Sequence, residues 1–192
     1  MIQTEKTGHA VLLAILLPVL ASCLTEDPHI VSAIIQAQTG ITMRDWAREV
    51  LFDKIGISRL EWITYKDGIT MGAFGIETTP RELGKIGQLV LNEGLWGSER
   101  IVSKAWLDEM TSAQVPAAET QVTDSAFCYL WWKDVARNVS FSWGHGGQYM
   151  FINREKDLIV VITSEPRTNG QFVLSVYQGL AIYDRINRIT AR

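Results

Sequence analysis

Apolar residues recur at helical spacing through the first part of this chain and switch to a two-residue alternation from about residue 127 onward. Between the two regimes, residues 113–124 are polar and alanine-rich and read as a loop. Helices first and a hairpin-rich stretch later predict an α+β layout, with a helix packed on an antiparallel sheet. At 192 residues the chain has the length of one domain and can bury a real core.

The helical half is punctuated by capping residues. Asp27 with Pro28 opens a helix whose face is Ile30, Val31, Ile34 and Ile35, and Gly40 ends it. Thr42 with Asp45 opens a second helix carrying Trp46, Val50 and Leu51 on one side, closed by Gly56. Thr79-Pro80-Arg81-Glu82 is a stronger start: Thr79 caps, Pro80 stands where no donor is needed, and Glu82 can reach back. Leu83, Ile86, Val90 and Leu91 would face inward, with Gly84 and Gly87 allowing a neighbour close, in a helical region separate from the sheet. Ser103 caps a short fourth helix. Residues 127–132, 139–143, 148–153 and 158–163 read as strands, the last two joined by the charged turn Arg154-Glu155-Lys156-Asp157. Residues 169–188 read as a terminal helix, apolar on more than one side.

Within the sheet region, Trp143-Gly144-His145-Gly146-Gly147-Gln148 places a hydrogen-bonding side chain beside paired glycines. Without a Cβ, glycine lets a ligand or another backbone approach closely. A glycine-rich hairpin with an incidental histidine is the plain alternative. Most of the seven tryptophans are better explained as core, although Trp143 adjoins this motif. Glu61, Asp67 and Glu93 show no paired-carboxylate logic.

The order of these segments resembles the serine β-lactamase and penicillin-binding-protein-like hydrolases, in particular the class C and esterase-type branch. The resemblance is carried by Thr79-Pro80-Arg81 opening a helix, by Tyr129-Leu130-Trp131-Trp132, by His145-Gly146-Gly147, by the hairpin running to Thr163 and by the terminal helix. It covers roughly residues 27–192 and implies a partial β-lactamase-like fold. In that family His145 would stand for the Lys/His of the Lys/His-x-Gly motif, guiding the substrate and supporting proton transfer. The backbone N–H of Gln148 would be an oxyanion donor, and Gly146, Gly147 and Trp143 would border the substrate. The implied partner is a small-molecule carbonyl substrate, whether β-lactam, peptide or ester.

The rest of the catalytic set is absent from this sequence. No serine is followed three residues later by lysine: Ser32 meets Ile35, Ser98 meets Ile101 and Ser103 meets Trp106. No tyrosine is followed two residues later by asparagine or serine. The expectation is therefore a C-terminal fragment of such a hydrolase, inactive alone. A non-catalytic lipoprotein or binding module, and half of a hydrolase completed in trans, are the alternatives.

Residues 1–24 stand apart from the domain of residues 25–192, which divides into a mainly helical part (25–125) and a sheet with its C-terminal helix (126–192). The apolar run 10–20 is too short to span a bilayer and ends in Leu20-Ala21-Ser22-Cys23, similar to a lipobox. On that reading Cys23 would be lipidated and the protein periplasmic or membrane-anchored. A frameshifted start is the other reading. Permitted codons for Ile15 to Ser22, read from their third base, give Phe-Ala-Pro-Gly-Thr-Gly-Phe, similar to the family's sequence before its tyrosine motif.

A net charge of −3 without a basic stripe argues against a nucleic-acid surface. Cys23 and Cys128 make no disulfide framework, and His9, His29 and His145 lack metal-ligand spacing, so no cofactor is called for. Loss of the preceding strands would leave a sheet edge uncovered, which implies self-association.

Overall fold

A computed structural model describes residues 26–116, 124–164 and 174–190. The leader and Cys23 lie outside the described residues. Helix α1 (Glu26–Thr39) begins one residue before the expected cap Asp27, so Pro28 falls inside its first turn, where its missing N–H costs nothing. Gly40 ends it in the left-handed region at φ +77°, its N–H bonded to Gln36 O at 2.9 Å. Thr42 caps α2 (Met43–Ala47) through the Asp45 N–H at 3.1 Å. The helix then widens into a π-helical turn (Arg48–Phe52), with Asp53 N–H reaching Arg48 O at 3.0 Å.

Strands β1 (Leu60–Trp62) and β2 (Ile76–Thr78) form a small antiparallel pair ahead of α3 (Pro80–Leu91). As expected, Thr79 caps α3, its Oγ1 accepting from Glu82 N–H at 3.3 Å. The Glu82 carboxylate does not reach back to the cap; it pairs with Lys85 at 2.9 Å. A short hairpin of β3 (Leu95–Trp96) and β4 (Glu99–Arg100) leads to α4 (Lys104–Met110), capped by Ser103.

The main sheet is a meander of five antiparallel strands in sequence order: β5 (Ala126–Cys128), β6 (Trp131–Asp134), β7 (Val139–Gly144), β8 (Gln148–Asn153) and β9 (Leu158–Ile162). The single strand expected over 127–132 is instead the β5–β6 hairpin, with Cys128 paired to Trp131. Leu130 sits between them at φ +60°, a conformation that ends a strand. The tandem tryptophans consequently face opposite sides. Phe127, Trp132, Phe141 and Phe151 align across one face, whereas Cys128, Trp131, Met150 and Ile152 look to the other.

Helix α5 (Val176–Thr190) covers the aromatic face. It begins at Val176, after a mutual cap between Ser175 and Gln178, later than the expected start at 169; residues 169–173 lie outside the described residues. Val176, Leu180 and Tyr183 pack there against Phe141, Tyr149 and Phe151. Arg137, in the β6–β7 turn, bonds Asp134 at 2.6 Å and Asp184 of α5 at 3.0 Å, fastening the helix to the sheet.

The opposite face corrects the expectation of a separate helical region. Helix α3 lies directly on β8 and β9. A Cβ at Gly87 would stand 2.9 Å from Ile159 Cγ2 and 3.3 Å from Met150 Sδ, so the glycine is what lets the helix seat this close. Ile86, Leu89 and Val90 thereby join Leu51, Phe52, Leu107 and Met110 and the sheet's Trp131 and Ile152 in one core. Apolar helical stripes meet helices or sheets equally well, so their spacing did not distinguish the two. Cys128 is a core residue, 1 % exposed, and burial pushes its thiol up to about 11.

Candidate functional site

The motif around His145 sits at the tip of the β7–β8 hairpin. Gly144 and Gln148 close the ladder as its last pair, so His145, Gly146 and Gly147 form the connecting turn and not a strand, a correction to their expected placement. The physical cause is local: Gly146 and Gly147 adopt φ +83° and +93°, which breaks strand geometry and which few residues but glycine accept. Gly147 N–H bonds back to Gly144 O at 3.3 Å. His145 is exposed at the tip, whereas Gly146 and Gly147 are buried.

The underside of the turn is held by Ser164, a residue not singled out in the sequence. Its hydroxyl donates to Gly146 O and lies 3.1 Å from Gly147 O. Its own carbonyl accepts from the Gln148 side-chain amide. Gln148 therefore uses its side chain to tie the turn to the end of β9. The hairpin register is the signal that would have found Ser164: Tyr149 faces Ile162, and continuing by two residues sets Gly147 against Ser164.

Trp143 stands two residues before His145 on the α5 side, half-buried, with its ring 6.0 Å from Trp132. Its Nε1 is buried without a hydrogen-bond partner. Tyr149, its cross-strand neighbour, donates to Leu174 O at 2.9 Å, and burial pushes its phenol up to about 12. Ser142 is fully buried on the opposite face, where its hydroxyl also lacks a partner. The structure thus brings His145, Gly146, Gly147 and Gln148 together, with Trp143 packed beside them. Among the described residues no cluster of three metal-ligating side chains exists, and no helix is long and apolar enough to cross a membrane.

The turn is rigidly specified from below. A Cβ on Gly147 would fall 2.7 Å from both Leu174 Cβ and Ser164 Oγ, at a φ that already strains an alanine. Gly147→Ala is expected to cost about 2–3 kcal/mol from strain and overlap together. Urea unfolding monitored by tryptophan fluorescence measures it; a loss under about 0.5 kcal/mol would show that the turn is free to adjust.

Comparison of the sequence with protein-family models and with curated proteins gives no match. Solved structures do match. A Bacillus anthracis protein assigned as a 6-aminohexanoate-dimer hydrolase superposes with a TM-score of 0.68 at 19 % identity, covering 83 % of this chain and 41 % of its own. Simvastatin synthase from Aspergillus terreus gives 0.63 at 11 % identity, over 83 % of this chain and 53 % of that one. A β-lactamase from Mycobacterium bovis gives 0.63 at 12 % identity, over 93 % of this chain and 73 % of that one. The chain spans about half the length of the first two. At these identities the likeness is one of fold: a partial β-lactamase-like α+β fold.

Proposed function

Because this chain shares its fold with part of the β-lactamase and penicillin-binding-protein-like serine hydrolases, we propose that it is the C-terminal portion of such an acyl-transfer enzyme, silent by itself. The single observation that supports this best is the β7–β8 turn. It presents His145 outward on a glycine pair locked from below, and the sequence His145-Gly146-Gly147 resembles the family's Lys/His-x-Gly motif. In the complete enzyme His145 guides the substrate and supports proton movement. The Gln148 N–H stabilises the oxyanion, and Gly146 and Gly147 leave room along the hairpin. An oxyanion donor of this kind is worth about 3 kcal/mol, realised only when a nucleophile generates the charge. Trp143 borders the substrate from the α5 side. The substrate is a small carbonyl compound; the matched proteins' names range from a β-lactamase to a 6-aminohexanoate-dimer hydrolase, so the fold does not select among them.

Sequencing the genomic DNA upstream of the codon for Thr25 tests this. The expected result is a reading frame in another phase encoding Ser-x-x-Lys and then Tyr-x-Asn or Tyr-x-Ser; a neighbouring gene ending in Ser-x-x-Lys sequence would instead favour a hydrolase completed in trans. The joined protein should then take up a fluorescent penicillin or fluorophosphonate covalently while the present chain does not. Absence of such a frame, or labelling of the present chain, overturns the reading.

Self-association belongs to the same reading. Among the described residues β9 pairs only with β8, and its outer edge carries the half-buried Leu158 and Ile159. An unpaired edge invites strand addition between chains. Analytical ultracentrifugation across a dilution series should show reversible oligomers, suppressed by Val161→Pro, which removes a β9 donor. A monodisperse monomer with sharp cooperative unfolding would contradict it.

A further inference from the structure

A concavity lies at the far end of the same sheet, independent of His145. It encloses about 250 Å³ between the sheet face under α3 and the C-terminal ends of α3 and α4. Lys133, Ser140 and Ile152 line its floor as cross-strand neighbours on β6, β7 and β8; Val90 and Thr111 form its roof, and Arg154 its side. Ser140 is four pairs from Gly144, which places the cavity roughly 14 Å from the His145 turn at strand spacing.

Two of the polar residues lining this cavity, Lys133 and Arg154, are donors only. Lys133 Nζ gives one proton to Asn138 Oδ1 at 2.7 Å and keeps two. Arg154 Nη1 is bound to Asp108 at 2.6 Å, while its Nη2 is buried with no partner. The Ser140 residue is 6 % exposed, and its hydroxyl makes no hydrogen bond among the described residues. Thr111 Oγ1 is already committed to Leu107 O at 2.7 Å. Glu155 is the one acidic lining residue, and it stands exposed at the rim. Burial also lowers the Lys133 pKa, a cost that a bound negative charge would offset. An unpartnered buried guanidinium nitrogen calls for an acceptor, since leaving it unmade forfeits its hydration. Val90 and Ile152 give the same space an apolar wall.

We infer that this cavity binds a small organic carboxylate, its oxygens held by Arg154, Lys133 and Ser140 and its short carbon chain against Val90 and Ile152. The volume suits such a ligand, being about eight times the share of one water in the liquid. Two donors of opposite origin, a planar guanidinium and an ammonium, match the two oxygens of a carboxylate.

Equilibrium dialysis of the full chain against radiolabelled butyrate tests the site, because it reads binding whatever the state of association. The expected result is saturable binding of one butyrate per chain, insensitive to His145→Ala and weakened roughly tenfold or more by Lys133→Met. Ser140→Ala, which removes no charge and leaves the Arg154–Asp108 pair intact, should weaken it less but measurably, and it decides the matter if Lys133→Met fails to fold. Competition at matched ionic strength separates sources: unlabelled butyrate should displace the label, and phosphate or chloride should not. Non-saturable uptake, equal displacement by phosphate or chloride, or unchanged affinity in the folded variants overturns the inference.

Discussion

Purified and assayed alone, the chain should release product from a chromogenic cephalosporin or a short-chain nitrophenyl ester no faster than buffer does. Acyl transfer needs an activated nucleophile, and no serine here has a lysine three residues on to accept its proton. Removing the nucleophile from a serine hydrolase costs about a million-fold in kcat, which leaves nothing an ordinary assay detects. The serines nearest His145 offer no substitute. The Ser164 hydroxyl is engaged by the backbone of Gly146, and Ser142 is fully buried on the α3 side of the sheet. A partial oxyanion site without a nucleophile binds at best a ground-state carbonyl, so reversible, non-covalent binding without turnover fits this reading. Turnover that survives His145→Ala but vanishes when one native serine is replaced would reveal a different active site and end the proposal.

What could be read in the sequence divides along local and non-local physics. Thr42, Thr79 and Ser103 were legible as caps because capping depends on residues within one turn. Strands 148–153 and 158–163 were legible because one tight charged turn sets their register. The β5–β6 hairpin was not, because Tyr129 and Leu130 look like strand residues and only the unusual φ of Leu130 reveals the turn. The seating of α3 on β8 and β9 was hidden for another reason. Gly87 marked a close approach, but nothing nearby in sequence names Ile159 and Met150 as its neighbours. At the candidate site, His145, Gly146, Gly147 and Gln148 were adjacent in sequence and so were found together. Ser164, which holds their turn, and the cavity joining Val90, Lys133 and Arg154 come from distant segments.

Replacing Arg137 by methionine should destabilise the chain by about 2–3 kcal/mol, more than the surface exposure of this side chain suggests. The guanidinium joins two carboxylates of unlike environment. Asp184 is a third exposed, and pairs of that kind contribute about 0.2–1 kcal/mol. The Asp134 side chain is 6 % exposed, and its Oδ2 would lose a 2.6 Å charged hydrogen bond. Removing one partner of a largely buried pair costs about 3–5 kcal/mol in general; Asp134 keeps the Arg137 backbone N–H at 2.9 Å, which brings the expectation down. Methionine retains the apolar stem, so lost packing contributes little. The consequence extends to α5, because the Arg137 carbonyl of the same turn accepts from the Asn153 side-chain amide, which also donates to the Tyr183 hydroxyl at 3.1 Å. Urea unfolding of Arg137→Met beside Asp184→Asn separates the two contacts. Asp184→Asn should lose under about 1 kcal/mol. Equal losses in the two variants would place the energy in the exposed pair, and a loss under about 1 kcal/mol for Arg137→Met would show that Asp134 finds water when its partner goes.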